Sequence, residues 1–240
     1  MSSRPRALPR LLGLRALAWL LCTLGALLVS SAPRAALEEG TTFRTLSPPQ
    51  PTAQRNKIEV IEFFSYGCPH CARFYPLLSA WVAKQPPDVV FRRVPVGFNR
   101  DPWVNLQRAY YALESSGDLA RLDGPLFHAI HEEHKSLFDE SSIADWVGRN
   151  GGDADKFTTA YISLGINKQT VQADQMAADF RIEGVPSLAV DGRYVAFAPA
   201  GKEEMEGFTE LLANIDELIA RVRNERHERG AAKAAAPKGK

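Results

Sequence analysis

The 240-residue chain is 45% apolar and 24% charged and holds three cysteines, which excludes a disordered chain, a collagen-like chain, a multi-span membrane protein and a disulfide-dense scaffold. Its net charge of +1 hides a division: residues 1–36 hold five arginines and no acid, residues 221–240 hold seven basic groups against two acids, and the stretch between carries a net −9. An acidic body argues against a nucleic-acid partner, which needs clustered Lys and Arg to displace counterions from phosphates.

In chain order, arginines scattered as far as Arg15 are followed by an uncharged apolar run, Ala16 to Val29, and then by Ser30, Ser31 and Ala32. This is the order of a secretory signal peptide. The apolar run is 14 residues long, short for crossing roughly 30 Å of hydrocarbon at about 1.5 Å per residue. Residues 1–36 are therefore expected to leave by cleavage between Ser31 and Ala36, taking Cys22 with them. Cys68 and Cys71 would then enter an oxidising compartment.

Thr42–Leu46 reads as a short strand, followed by a linker with Pro48, Pro49 and Pro51. Ile58–Phe64 is rich in β-branched and aromatic residues and predicts a buried strand. Ser65-Tyr66-Gly67 turns the chain into Cys68-Pro69-His70-Cys71, and Phe74, Leu77, Leu78, Trp81 and Val82 then recur at helical spacing. Pro69 suits a first helical turn, Pro76 should kink the helix, and Pro86-Pro87 should stop it. Val89–Val94 predicts a second strand, so strand, helix and strand form a right-handed crossover if the strands are parallel.

Residues 99–173 read as helical throughout. Asp101-Pro102 opens one helix, a second runs from Pro125 to Lys135, Ser141 or Ser142 caps a third, and Asp153 and Asn167 start two more. Ser187–Val190 and Arg193–Phe197, joined by Asp191-Gly192, predict a hairpin. Met205, Phe208, Leu212, Ile215, Ile219 and Val222 predict a final amphipathic helix. Residues 223–240 lack apolar periodicity and read as a frayed basic tail. The fold class is α/β: residues 37–98 and 174–222 form one discontinuous domain, interrupted by a helical insertion at 99–173.

Cysteines at i and i+3 on a helix N-terminus suit reversible disulfide exchange. Cys68 meets the unpaired N–H groups and the positive end of the helix dipole, which favour thiolate over thiol. Cys71, one turn on, is shielded, so Cys68 is the attacking sulfur and Cys71 the resolving one. His70 places an imidazole nearby, able to donate a hydrogen bond or a positive charge. A zinc site is not expected, because the pair supplies two of four ligands and His128, His131 and His134 lack the His-x-x-x-His step. An inert disulfide would close too short a loop to restrain the unfolded chain.

Phe63-Phe64-Ser65-Tyr66-Gly67-Cys68-Pro69-His70-Cys71, the helical block and Gly184-Val185-Pro186 together resemble the DsbA family. The resemblance implies a thioredoxin-like fold with an inserted helical domain. It also implies a periplasmic, monomeric thiol:disulfide oxidoreductase with no cofactor beyond the Cys68–Cys71 disulfide. Its partners would be unfolded exported proteins with free cysteines and a quinone-linked membrane reoxidase of the DsbB type. Val185 and Pro186 match the family's cis-proline loop, which binds substrate backbone; on the residues alone Pro186 reads as a strand-start proline. Glu62 matches the family's buried acid, a candidate proton relay for Cys71, against a solvent-facing strand position. Arg93 aligns with the lysine that partners that acid; an arginine would stay charged, and the residue by itself reads as surface basic. A reductase or isomerase of the same compartment, or a peptide-binding chaperone, are the alternatives.

Overall fold

The structure, a computed structural model, describes residues 37–235, so the expected leader at 1–36 and residues 236–240 lie outside the described residues. Strand β2 (Ile58–Phe64) is buried at every position. A strand covered on both faces is apolar along its length, and Glu59 and Glu62 are the two exceptions. β3 (Val89–Pro95) pairs parallel on one side of β2, and β4 (Ser187–Val190) pairs antiparallel on the other. β5 (Tyr194–Ala196) and β1 (Phe43–Thr45) complete the order β1-β5-β4-β2-β3. Val190 pairs with Tyr194, so the hairpin loop holds three residues where two were expected; Asp191 and Gly192 turn it with φ of 56° and 64°, and the Arg193 N–H donates back to the Val190 carbonyl at 3.0 Å. A Cβ on Gly192 would sit 2.0 Å from the Gln50 carbonyl oxygen, so the position demands glycine.

Helix α1 (Pro69–Val82) makes the crossover between β2 and β3, and it runs on through Pro76. Between β3 and β4 lie α2 (Asp101–Ser116), α3 (Leu119–His131), α4 (Glu140–Arg149), α5 (Ala154–Tyr161) and α6 (Leu164–Asp179); α7 (Glu204–Ala235) ends the described chain. Phe74, Leu78 and Trp81 of α1 meet Phe208, Leu211 and Ile215 of α7 against Val60, Leu188 and Val190 of the sheet. Ala173, Ala177 and Phe180 pack with Ile61, Phe63 and Ala189. A third core draws on α2 to α5, through Leu113, Leu126, Val147 and Phe157 among others, and includes Phe64, Tyr66, Cys68 and Cys71. The helical segment therefore supplies part of the wall around the cysteines.

Local differences from the sequence expectations have physical causes. α3 starts at Leu119 and continues through Pro125, because Leu122, Leu126, Phe127 and Ile130 bury one continuous stripe. α4 is capped by Asp139, whose carboxylate accepts the Ser142 N–H at 2.9 Å, and α6 by Ser163, whose hydroxyl accepts the Ile166 N–H at 3.2 Å. Both caps precede the expected starts at Ser141 or Ser142 and at Asn167. Met205 is not part of the buried stripe of α7; it is exposed. Nor does α7 fray at Arg223. Arg223 pairs with Asp88 at 2.8 Å, Arg226 with Asp191, and Glu225 with Arg193 and the Tyr194 hydroxyl. These polar anchors extend the helix where apolar periodicity has ended.

Candidate active site

Cys68 is the N-cap of α1, with extended backbone (φ −93°, ψ 115°), and Pro69 opens the helix behind it. Both cysteines are free thiols. The Cys71 thiol and the nearby N–H groups of Cys71 and His70 favour the thiolate of Cys68, although its sulfur closes no capping hydrogen bond on the helix. They outweigh burial and bring Cys68 from 9.0 to about 6. Cys71 goes the other way: burial, the Cys68 sulfur and the charge of Glu62 all push its thiol well up. The same four residues thus hold one easily ionised sulfur and one that resists ionisation. Cys68 Sγ lies 3.4 Å from the Val185 carbonyl oxygen, and the Val185–Pro186 bond is cis. Both residues line a groove of about 700 Å³ that also takes in His70, Arg73, Phe197, Glu204 and Phe208.

At the rim of this groove the His70 side chain is exposed, and its Nδ1 pairs with Glu204 at the start of α7. Arg73, one turn further along α1, also grips Glu204, with Nη2 donating to Oε1 at 2.9 Å. Arg73 first, and then His70, hold the Glu204 carboxyl down at about 2.

Beneath the cysteines lies a second charged cluster. Glu62 is fully buried on β2, directly opposite Arg93 in the parallel register. Arg93 Nε donates to Glu62 Oε2 at 2.5 Å, and its Nη1 donates to both Asp123 oxygens at 2.8 and 2.7 Å. The Tyr66 hydroxyl donates to Asp123 Oδ1 at 2.5 Å. The guanidinium sits 3.6 Å from the Phe64 ring centroid, with the Tyr75 and Phe127 rings further out. Burial raises the Glu62 carboxyl against the opposing pull of Arg93.

The loop before Cys68 is held from the insertion side. His131 Nε2 lies 2.7 Å from the Tyr66 carbonyl, where its N–H can donate. A Cβ at Gly67 would come within 2.7 Å of Trp103 Nε1, so the indole needs glycine there. Tyr66 and Gly67 are therefore positioned by residues 65 and 36 places away in the chain.

A strand, a turn and a Cys-x-x-Cys helix facing a cis-proline loop, walled by inserted helices, coincide with a match to the DSBA-like thioredoxin domain over residues 59–213. The chain belongs to this DsbA family. It is 36% identical over 199 residues to the thiol:disulfide interchange protein DsbA of Burkholderia cepacia, covering 82% of this chain and 92% of that one. The DsbA of Pseudomonas aeruginosa PAO1 is 39% identical over 155 residues, 65% of this chain and 73% of that one. A crystal structure of Pseudomonas aeruginosa DsbA superimposes with a TM-score of 0.72 at 36% identity, covering 82% of this chain and 97% of the other. As a DsbA-family protein the chain is a thiol:disulfide oxidoreductase with a thioredoxin-like fold, and its redox group is a cysteine pair. Among the described residues no helix is long and apolar enough to cross a membrane.

Set beside the sequence expectations, His70, Val185 and Pro186 line one groove, Cys68 reaches its Val185 wall, Cys71 is buried one turn on, and Glu62 lies buried on β2. Arg93 corrects its surface reading: its side chain is 8% exposed, because two carboxylates and an aromatic box replace water around it. Asp123, Tyr66, Arg73, His131 and Glu204 were not singled out for this site. The structure pairs the two predicted strands in the register that sets Glu62 opposite Arg93, a partnership the sequence offered only through the family resemblance. Nothing in the sequence brings Asp123 or Glu204 to the site, since both arrive from distant helices.

Proposed function

We propose that this DsbA-family protein introduces disulfide bonds into exported proteins, taking two electrons from a client dithiol into the Cys68–Cys71 pair. A client thiolate attacks Cys68 Sγ, the Cys68–Cys71 bond breaks, and Cys71 leaves with the electron pair. A second client thiolate then attacks the client sulfur of the mixed disulfide and expels Cys68 as thiolate. The client ends as a disulfide and the protein as a dithiol. The observation that carries this direction is the placement of Cys68 at the N-cap of α1, beside the first-turn N–H groups of His70 and Cys71 and the Cys71 thiol. These neighbours stabilise the departing thiolate and make it a good leaving group, which makes the disulfide oxidising.

In this proposal the client backbone lies along Val185 and Pro186 in the groove, and neutral Glu62 supplies the proton that buried Cys71 needs as it leaves. Its raised carboxyl and its influence on the Cys71 thiol support that role. The arginine-flanked apolar run at the N-terminus supports export to the periplasm, where a quinone-linked membrane protein of the DsbB type would reoxidise the pair. A glutathione redox titration tests the direction. The pair should become reduced at low glutathione. If only a strong dithiol reduces it, the protein is a reductase. A Cys68→Ser, Cys71→Ser variant should lose all oxidation of a reduced client; preserved client folding would instead support a chaperone.

A further inference from the structure

We propose that Asp123 is a positioning residue of the active site: by holding the charge of Arg93 it leaves Glu62 able to carry a proton beside Cys71. The inference rests on the proton role proposed above for Glu62 and adds what makes that role available.

Two carboxylates and one guanidinium share an aromatic box, so the cluster has one more acid than it can neutralise. Burying that excess charge is costly, and one carboxyl must take a proton to remove it. The hydrogen bonds decide which. Asp123 accepts three: two from Arg93 Nη1 and one from Tyr66. The buried Tyr66 hydroxyl has its own ionisation pushed well up, so it remains a donor. Glu62 accepts one, from Arg93 Nε; its other oxygen, Oε1, is buried without a hydrogen-bond partner. A proton on Glu62 breaks no donated bond, whereas a proton on Asp123 would displace one. Asp123 is also 13% exposed where Glu62 is fully enclosed, which further favours the charge on Asp123.

The other groups around Glu62 leave this assignment intact. Arg93 faces it from β3, Asp123 from α3, Cys68 from the start of α1, and its own negative charge bears on Cys71; the β4 neighbour is the uncharged Leu188. Without Asp123, Arg93 would have Glu62 as its remaining anion in the cluster. The pair would then be neutral only with Glu62 ionised, and Glu62 would cease to be a proton donor for the departing Cys71.

The test is a carbon NMR titration of the Glu62 carboxyl in the oxidised protein, where no thiol titrates, for wild type, Asp123→Asn and the double variant Arg93→Met, Asp123→Asn. Asp123→Asn keeps Arg93 paired with Glu62 and should lower the Glu62 midpoint by about one pH unit or more. The double variant removes both charges and should return it to the wild-type position or above. Asp123→Glu should retain wild-type behaviour. A merely structural role, in which loosening the box admits water, would lower the midpoint in both Asn-containing variants. That outcome, or an unmoved midpoint in Asp123→Asn, overturns the proposal. The titration reads Glu62 directly, so it stands or falls apart from oxidation of a client, which tests the proposed function.

Discussion

Two clusters of similar composition flank the Cys-x-x-Cys helix. At the groove rim, Arg73 and His70 share Glu204; beneath the cysteines, Arg93 is shared by Glu62 and Asp123. The rim guanidinium is 46% exposed and the buried one 8%. Water screens the first and an aromatic box surrounds the second, so the same chemical groups do different work. The rim can trim the charge felt by Cys68 at little cost to the fold. The buried cluster controls where a proton resides, and its charges cannot be removed one at a time without consequence. Charge near a sulfur therefore says little until its solvent access is known.

The sharpest way to break the comparison is to remove each arginine alone. Arg93→Met leaves two carboxyls in the box without their cation and should destabilise the fold by about 3–5 kcal/mol at neutral pH. Arg73→Met should cost at most about 1 kcal/mol. The Arg93→Met loss should shrink in acid, because a carboxyl with a raised folded pKa regains stability as pH falls toward its unfolded value. Denaturant melts of both variants at neutral and acid pH measure this. Equal, small losses would mean that the lower cluster is hydrated.

The next effect is carried by Cys68. With its folded value near 6 against 9.0, the thiolate stabilises the reduced fold fully above the unfolded value, and this is lost as pH falls through about 6. At pH 7 the difference amounts to about 1 kcal/mol. Reduced protein should therefore melt above oxidised protein at neutral pH, with the gap closing near pH 6. An oxidised form that melts higher at pH 7 would overturn the thiolate argument.

How much of this was legible follows from which forces are local. The strand–turn–Cys-x-x-Cys–helix unit could be read because its apolar periods and its first-turn proline lie within 25 residues. Glu62 announced itself as an acid in an apolar run. Arg93 did not: a register predicts its neighbour but not that Phe64, Tyr75 and Phe127 would exclude water from it. Asp123 and Glu204 were silent, since an acid on a helix is ordinarily solvated. The extension of α7 past Val222 was misread for a related reason, because its anchors are ion pairs to residues far off in sequence.

A finer prediction separates the two ways in which His70 acts on Cys68, through its backbone N–H and through its ring. His70→Ala removes the ring alone and should raise the Cys68 pKa modestly. His70→Pro removes the N–H as well and should raise it further, making the disulfide less oxidising. Thiolate absorbance against pH, with a glutathione titration of each variant, reads both. Identical behaviour of the two variants would assign the whole effect to the ring.

The smallest effect belongs to Glu204. Its carboxyl stays ionised down to about 2, so it is a fixed negative charge wherever Cys68 titrates. Glu204→Gln removes that charge and unmasks Arg73, whose interaction with Cys68 is already favourable. Both changes favour thiolate, and the Cys68 pKa should fall by about 0.3 of a pH unit at low ionic strength. At about 1 M salt the Debye length is near 3 Å and the shift should vanish. The shift of Glu62 in Asp123→Asn should survive the same salt, because counterions do not enter the box. A rise of the Cys68 pKa in Glu204→Gln would overturn this sign. Persistence of the fall in high salt would place the rim among the buried clusters and erase the distinction between the two.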